Sequence, residues 1–312
     1  MIGRGRFVFS SSRDVSPTDG ATVLPRRNSF VSSLATGAST MATALFATLF
    51  PADCRLCGHP LTNISRLPVC EECLASLTRI EGVQCGICGE RLNGPYELSE
   101  DEARCELCRR AEPPYAKAAA YGSYESGLRE LIHLLKYEQV RPAATVLGRM
   151  LGEAIGDLPL SFMRGPVVTV PVPLYAKKLR QRGFNQAELI ARAALKLLPG
   201  GFELNAQALQ RCRETQSQIG LSRHQRRENM RGAFVVATPK EIQGCDVLLV
   251  DDVMTTGTTV SECARVLRRA GASKVYVATV ARTLKVEMQN AGRAHEEPKI
   301  EEEDALAMAA HG

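Results

Sequence analysis

Two adjacent carboxylates and a hydroxyl-rich turn are the residues of this sequence best suited to chemistry. Asp251 and Asp252 follow a run of four apolar residues, and three positions later the chain reads Thr-Thr-Gly-Thr-Thr. An ionised Asp side chain only accepts hydrogen bonds, so the pair suits sugar hydroxyls or a hydrated divalent cation. The hydroxyls and backbone amides of the turn suit a phosphate. The pattern predicts a sugar-phosphate site made of Asp251, Asp252, Thr255, Thr256, Gly257, Thr258 and Thr259.

The segments on either side of these residues indicate how the chain holds them. Residues 247–250 are branched or bulky without polar alternation, which is typical of a central strand in a parallel sheet covered on both faces. The two acids would then emerge at the carboxyl end of that strand, where open α/β sheets bind ligands. The turn leads into a helix over residues 261–269, whose positive dipole end favours an anion.

Three other interpretations fit this pattern less well. A Walker A loop needs a Lys after its last Gly, and no Lys lies between Asp246 and Ser273. A response-regulator receiver carries its acid pair near its start, whereas only 61 residues follow Asp251 here. A buried strand followed by a purely decorative turn would leave two adjacent carboxylates without a role.

Composition sets the wider limits. The 312 residues are enough for two domains, and the 45% apolar fraction is ordinary for a globular protein. The absence of Trp and the 5% aromatic content argue against aromatic stacking as the main binding device. The net charge of +5 permits contact with phosphates or nucleic acid without requiring it. The sequence contains no run of 18 apolar residues, so it does not indicate a transmembrane helix.

Four successive Cys-x-x-Cys pairs form a second candidate site. They supply eight of the eleven Cys, and their spacing favours metal binding over redox exchange or a disulfide framework. Gly58 and Gly89 directly follow a Cys and suit tight knuckle turns. Joining neighbouring pairs gives two zinc ribbons, and a cross-braced pairing uses the same ligands. Four thiolates leave no open position on the ion, so the expected Zn²⁺ is structural, held by Cys54, Cys57, Cys70, Cys73, Cys85, Cys88, Cys105 and Cys108.

Breaks in composition divide the chain into four parts. The first part is rich in Ser, Thr, Gly and Arg, so we expect it to be disordered, or to lie upstream of a true start at Met41. A short apolar helix from Met41 then leads into the cysteines, and Pro113-Pro114 marks the exit from them. The last part is acidic and expected to fray. The predicted parts are an extension (1–40), a zinc-ribbon domain (41–112), an α/β domain (113–284) and a tail (285–312).

Periodic apolar residues predict helices and strands along the α/β domain. In the helix from Gly127, one face carries Leu128, Leu131, Ile132 and Leu135, while His133 and Lys136 lie off that face. Further helices are predicted over residues 143–155 and 187–198, and strands over residues 166–174, 234–237 and 274–282.

Two basic segments are candidates for contact with pyrophosphate or nucleic acid. One follows the strand at residues 166–174 and would reach the phosphate if that strand neighbours the acid-bearing strand. The other, over residues 211–231, is polar and basic and would act as a mobile lid. A basic cluster is often just a solvated face. The candidate residues are Lys177, Lys178, Arg180, Arg182, Arg223, Arg226 and Arg227.

The order of the motifs resembles the ComF family of competence-associated, phosphoribosyltransferase-like proteins. Cys-x-x-Cys pairs after Leu-Phe-Pro come first, followed by Leu-Leu-Lys-Tyr, Val-Pro-Val-Pro-Leu and Arg-x-Arg-Gly-Phe-Asn-Gln-Ala. Arg-x-x-x-Thr-x-x-Gln, Asn-x-x-Gly-Ala-Phe and Val-Asp-Asp-Val-x-Thr-Thr-Gly-Thr-Thr complete the series. The resemblance covers about residues 45–283, and the four Cys pairs exceed what simpler members carry.

This resemblance implies a type I phosphoribosyltransferase fold, a parallel sheet flanked by helices, behind a small double zinc-ribbon domain. It implies that Asp251 and Asp252 hold the ribose hydroxyls of phosphoribosyl pyrophosphate, that residues 255–259 hold its 5′-phosphate, and that Mg²⁺ accompanies this ligand. It also implies a cytoplasmic role in the uptake of transforming single-stranded DNA, together with proteins of the competence machinery.

Three functions from different classes remain open at this point. They are a phosphoribosyltransferase of nucleotide metabolism, a DNA-handling protein whose nucleotide site is a sensor, and a non-catalytic regulator of the same fold. No segment announces a pocket for an incoming base, and no helix-turn-helix is evident. We therefore favour the DNA-handling interpretation and leave catalysis open.

Overall fold

The computed structural model of the chain describes residues 52–61, 65–92, 103–161, 165–215 and 223–284. All of these residues belong to one compact unit. The predicted extension at 1–40, the short apolar helix from Met41, the centre of the predicted lid and the acidic tail lie outside the described residues.

A five-stranded parallel sheet forms the centre of the fold, in the order β1-β7-β6-β2-β3. A separate antiparallel pair is formed by β4 and β5. The predicted α/β class with a parallel sheet is therefore confirmed. The strands are β1 (Lys117–Ser123), β2 (Val167–Pro171), β3 (Phe202–Leu204), β4 (Leu209–Arg211), β5 (Phe234–Val236), β6 (Asp246–Met254) and β7 (Lys274–Arg282).

Helices flank the sheet and connect its strands. None of the described helices is both long and apolar enough to cross a membrane. The helix predicted over 187–198 ends three residues earlier, while the other predicted helices match within a few residues. The helices of the described residues are α1 (Glu71–Ala75), α2 (Glu106–Arg110), α3 (Ser126–Lys136), α4 (Ala143–Gly156), α5 (Ala176–Arg182), α6 (Gln186–Leu195), α7 (Arg223–Met230), α8 (Pro239–Ile242) and α9 (Thr258–Arg269).

Strand β6 is longer than the sequence pattern predicts. The apolar run ends at Val250, but pairing with β7 continues from Asp251 to Met254. The acids therefore lie within the end of the strand rather than after it, because the neighbouring strand satisfies their backbone groups. Helix α9 likewise begins earlier than predicted, at Thr258 instead of Ser261.

Two apolar cores cover the two faces of β6. Leu248 and Val250 face a core shared with α3, α4 and α6. Val247 and Leu249 face a second core shared with α9, β5 and the second group of cysteines. Residues 247–250 are all fully buried, as predicted for a central strand covered on both faces.

The cysteine-rich region packs directly on the sheet. The amide of Ala118 in β1 donates a hydrogen bond to the carbonyl of Ile87 at 2.7 Å. Arg282, the last residue of β7, donates to Glu90 at 2.8 Å, and both side chains are nearly fully buried. A buried ion pair therefore ties the cysteine-rich region to the carboxyl end of the sheet.

Replacing Arg282 with Met should lower the free energy of unfolding by about 3–5 kcal/mol, because Glu90 would keep a buried charge without its cation. The double variant Glu90→Leu/Arg282→Met should recover most of that loss. Urea unfolding of the metal-loaded proteins, followed by circular dichroism, measures both. A double variant no more stable than the single one would show that the ion pair is not what holds this junction.

Candidate functional site

The acid pair, Asp251 and Asp252, points towards both faces of the sheet. Successive side chains of a strand alternate between faces, so Asp252 lies on the side of α3 and Asp251 on the side of α9. The amide of Asp252 donates to the Asp251 carboxylate at 2.9 Å, which holds that side chain close to the backbone. Asp252 is almost fully buried, whereas Asp251 is partly exposed.

Lys136, the last residue of α3, forms a salt bridge with Asp252. Burial alone would raise the pKa of Asp252, but the Lys136 ammonium and a hydrogen bond from it hold that pKa below its usual value. Burial and the neighbouring charge of Asp252 raise the pKa of Asp251 well above its usual value. The two acids therefore differ: Lys136 holds the pKa of Asp252 low, whereas the pKa of Asp251 is raised.

The phosphate turn, residues 255–259, joins β6 to α9. Gly257 adopts a left-handed conformation with φ of 73° directly before the helix, and a Cβ there would approach the Met254 Cε to 2.9 Å. The left-handed φ favours glycine at this position, and the end of the Met254 side chain would have to move to make room for a Cβ. The hydroxyls of Thr256 and Thr258 lie 2.9 Å apart, at the amino terminus of α9. These hydroxyls and the free amides at the start of a helix are groups of the kind that bind an anion.

The basic segment after β2 lies beside the acid pair, because β2 pairs directly with β6. Both strands are parallel, so their carboxyl ends open at the same edge. Partial burial, together with repulsion from Arg182, Lys136 and Arg211, lowers the pKa of Lys178. This shift indicates that cations from three different elements, α3, α5 and β4, share one neighbourhood.

The other residues predicted in this basic segment have different surroundings. Arg182 is buried, donates to Gln186 at 2.5 Å and stacks 5.7 Å from the Tyr137 ring, so it braces the loop from within. Lys177 is exposed and pairs with Glu214 at 3.6 Å, and Arg180 is exposed on α5. Lys178 is also exposed on α5, and it interacts electrostatically with Asp252 and Lys136.

The second basic segment borders the phosphate turn from the other side. Arg227 of α7 lines a cleft of about 250 Å³ together with Thr256 and Thr258. Arg226 is half-buried on the same helix, and the side chain of Arg223 lies outside the described residues. Glu262 accepts from the amide of Gly232 at 2.8 Å, which fixes the exit of α7 against α9.

Sequence reasoning did not assign Lys136, Tyr124 or His133 to the site, and it included Arg211 only as part of the basic segment over residues 211–231. The Tyr124 hydroxyl and the His133 Nε2 are 3.0 Å apart, close to Lys136 on the same helix. Arg211 ends β4 and interacts electrostatically with Asp251. For Lys136, the sequence signal was its position off the apolar face of its helix, and that position by itself is typical of a solvated residue.

The eight cysteines form two tetrads in the sequential pairing. The outer tetrad is Cys54, Cys57, Cys70 and Cys73, and the inner tetrad is Cys85, Cys88, Cys105 and Cys108. The sulfurs of each tetrad lie within 4.8 Å of one another. The cross-braced alternative is therefore not adopted, and each group can hold one metal ion.

The sulfur–sulfur distances of the tetrads fit a tetrahedral metal. Zn–S bonds of about 2.3 Å place sulfurs about 3.8 Å apart in a tetrahedron. The Cys57 and Cys70 sulfurs are 3.8 Å apart, and those of Cys88 and Cys105 are 3.6 Å apart. Burial opposes ionisation of Cys54, but backbone amides, first that of Cys70, lower its pKa to about 6. A thiolate is the form that binds a metal.

The inner tetrad belongs to the apolar core that lies beside the turn at residues 255–259. All four of its cysteines are buried in the same core as Met254 and Val260, which flank the phosphate turn. Arg282 also lies 3.7 Å from the Cys88 sulfur. The outer tetrad, by contrast, contains one exposed and two half-buried cysteines.

The chain is similar to proteins named for DNA utilization and for competence. DNA utilization protein YhgH of Escherichia coli K12 is 32% identical over 235 residues, which cover 75% of this chain and 98% of that protein. Competence protein F of Haemophilus influenzae is 32% identical over 222 residues, covering 70% of this chain and 93% of its own. The chain belongs to the ComF family.

A profile of the phosphoribosyl transferase domain matches residues 197–303. This part of the ComF chain contains β6, the acid pair and the phosphate turn, and leaves both tetrads outside. The solved allosteric regulatory enzyme of purine biosynthesis is 26% identical, covers 45% of this chain and 26% of its own, and gives a TM-score of 0.28. The fold assignment rests on the sheet order and the sequence matches.

The purified ComF protein should hold close to two zinc ions per chain, one for each tetrad. Cys54→Ser/Cys57→Ser and Cys85→Ser/Cys88→Ser should each retain about one ion. The inner variant should lose more stability, because its cysteines are part of the second core. Metal analysis and thermal unfolding of reduced samples measure both effects. A folded sample without metal would refute the sites, and an outer variant less stable than the inner one would refute their ranking.

Proposed function

We propose that this ComF family member binds phosphoribosyl pyrophosphate and handles single-stranded DNA in the cytoplasm during natural transformation. The names of its relatives support the DNA part, since one is a competence protein and another a DNA utilization protein. The match to the phosphoribosyl transferase domain supports the ligand. The observation that carries the proposal is the meeting of the acid pair, the phosphate turn and the β2 basic segment at one edge of the sheet.

Each part of the ligand has a matching part of this edge. Asp251 and Asp252 accept hydrogen bonds from the ribose hydroxyls, and residues 255–259 bind the 5′-phosphate through amides and hydroxyls. We assign Lys178 and Arg211 to the pyrophosphate, because they interact electrostatically with Asp252 and Asp251, respectively.

Mg²⁺ fits this arrangement through Asp251. Asp252 already forms a salt bridge with Lys136, so the partly exposed Asp251 is the carboxylate that can bind a hydrated cation. When bound with the ligand, Mg²⁺ neutralises the pyrophosphate oxygens. The protein's own contribution is to orient the ribose and to surround the pyrophosphate with cations.

The DNA part of the proposal rests on α7. Arg226 and Arg227 lie on this helix beside the phosphate turn, and Arg265 of α9 lines the same cleft as Arg227. Cations along a groove bind single strands through phosphates, with little preference for sequence. The ligand site and the DNA surface would therefore be adjacent.

The double variant Asp251→Asn/Asp252→Asn should lose phosphoribosyl pyrophosphate binding, because the ribose hydroxyls lose both charged acceptors. Isothermal titration calorimetry measures the affinity, and circular dichroism checks that the fold is retained. Asp157→Asn, an exposed Asp at the end of α4, is the matched control and should bind as the wild type does. Unchanged affinity in the double variant would contradict the assignment of the acid pair to the ribose hydroxyls.

Affinity for phosphoribosyl pyrophosphate should rise with pH through the pKa of Asp251. That pKa is raised in the free protein, so at lower pH the carboxyl is protonated and must release its proton to accept two hydroxyls. Calorimetry in buffers of different ionisation enthalpy measures the released proton. Asp251→Asn should abolish this release, and a release that persists in that variant would place the titrating group elsewhere.

The triple variant Arg223→Ala/Arg226→Ala/Arg227→Ala should bind single-stranded DNA more weakly. Its salt dependence should flatten by about 0.7 in log–log slope for each DNA phosphate that the protein no longer neutralises. Fluorescence anisotropy with an oligothymidylate at several salt concentrations measures both. Arg192→Ala/Lys196→Ala/Lys240→Ala removes the same charge near the amino ends of the strands and is the control.

Competition tests whether the two ligands share cations. Saturating phosphoribosyl pyrophosphate should weaken DNA binding if the basic segments serve both. If the triple variant binds DNA as the wild type does, while removal of the tetrads abolishes binding, the DNA surface lies on the cysteine-rich region instead.

A further inference from the structure

Lys136 occupies an unusual position for a lysine. It is the last residue of α3, and its side chain is only 15% exposed, against 6% for its partner Asp252. A lysine in that environment is retained where its charge is compensated, because an isolated buried ammonium is strongly disfavoured. The ammonium therefore belongs to the interior of the site rather than to its surface.

The charges around the acid pair are balanced before any ligand arrives. Asp252 pairs with Lys136 directly, and the wider neighbourhood of the acid pair contains Lys178 and Arg211. Tyr124 and His133 add polar groups on the α3 side. An acid pair that faced water alone would repel itself and would call for a divalent cation, whereas this one has a fixed monovalent cation.

The position of Lys136 is set by a helix with little freedom to move. Leu131, Ile132 and Leu135 of α3 are fully buried in the first core. His133 is held by Tyr124 at 3.0 Å and packs edge-on against Tyr137, with ring centroids 5.1 Å apart. The ammonium is also favoured by the negative end of the α3 dipole.

We propose that Lys136 is a built-in cation that takes the place of a divalent metal at Asp252, so that the ribose 5-phosphate portion of the ligand binds without Mg²⁺. This inference rests on the proposed function, because it concerns the same sugar-phosphate site. Lys136 acts through Asp252: it keeps that carboxylate ionised and oriented as an acceptor for a ribose hydroxyl. It is therefore a positioning residue. Mg²⁺ then serves the pyrophosphate and not the ribose.

The two portions of the ligand should consequently differ in their need for metal. Ribose 5-phosphate carries no pyrophosphate, so its affinity should be the same with and without Mg²⁺. Phosphoribosyl pyrophosphate should bind more tightly when Mg²⁺ is present, because the metal screens the pyrophosphate charge. This contrast separates the role of Lys136 from that of the metal.

The experiment is calorimetry of the zinc-loaded protein with each of the two ligands, in Mg²⁺-free buffer without a chelator and in excess Mg²⁺. Lys136→Met should weaken ribose 5-phosphate binding in the Mg²⁺-free buffer by about tenfold or more, and Mg²⁺ should restore part of it. Lys136→Arg keeps the charge and should retain metal-independent binding. Lys196→Met, at the opposite edge of the sheet, removes a lysine of equal charge and should have no effect.

The wild-type protein tests the inference even if Lys136→Met does not fold. For that case, Lys136→Met/Asp252→Asn removes both buried charges together and provides a folded reference without the cation. If the wild type binds ribose 5-phosphate only when Mg²⁺ is present, the inference is wrong while the sugar-phosphate site stands. If Lys136→Met keeps metal-independent binding, Lys136 is not the cation. If the wild type binds neither ligand in either buffer, the proposed function itself fails.

Discussion

The parallel pairing of β6 with β2 on one side and β7 on the other is the constraint on which the site depends. Because all three strands run the same way, their carboxyl ends meet at one edge, and the segments that follow them share that edge. The acids come from β6, the phosphate turn follows it, and Lys178 follows β2. A different strand order would leave the same motifs scattered.

The two cysteine tetrads differ in how closely they pack against the part of the sheet that carries the site. The inner tetrad is built into the core that supports Met254 and the start of α9, and Arg282 joins it to the end of β7. A metal ion held there would therefore stabilise the part of the protein that contains the turn at residues 255–259. The outer tetrad packs at the edge of the other core and is more exposed, so removing its metal should disturb the site less.

Much of this organisation was predictable from local sequence. Residues 247–250 predicted a central strand, the Cys-x-x-Cys spacing predicted the metal ligands, and the order of motifs indicated the family. The extension of β6 through the acid pair was not predictable, because Asp251 and Asp252 are strand-like only when β7 pairs beside them. Lys136 was missed for a similar reason. Its position on a helix reveals which face it occupies but not that this face meets Asp252, 116 positions further along the chain.

A crystal structure of the metal-loaded protein with ribose 5-phosphate tests most directly whether the acid pair and the phosphate turn together form one sugar-phosphate site. We expect the 5′-phosphate on the amides and hydroxyls of residues 255–259, with the ribose hydroxyls on Asp251 and Asp252. A sugar phosphate bound on the basic surface of α7, with the acid pair unengaged, would contradict this proposal.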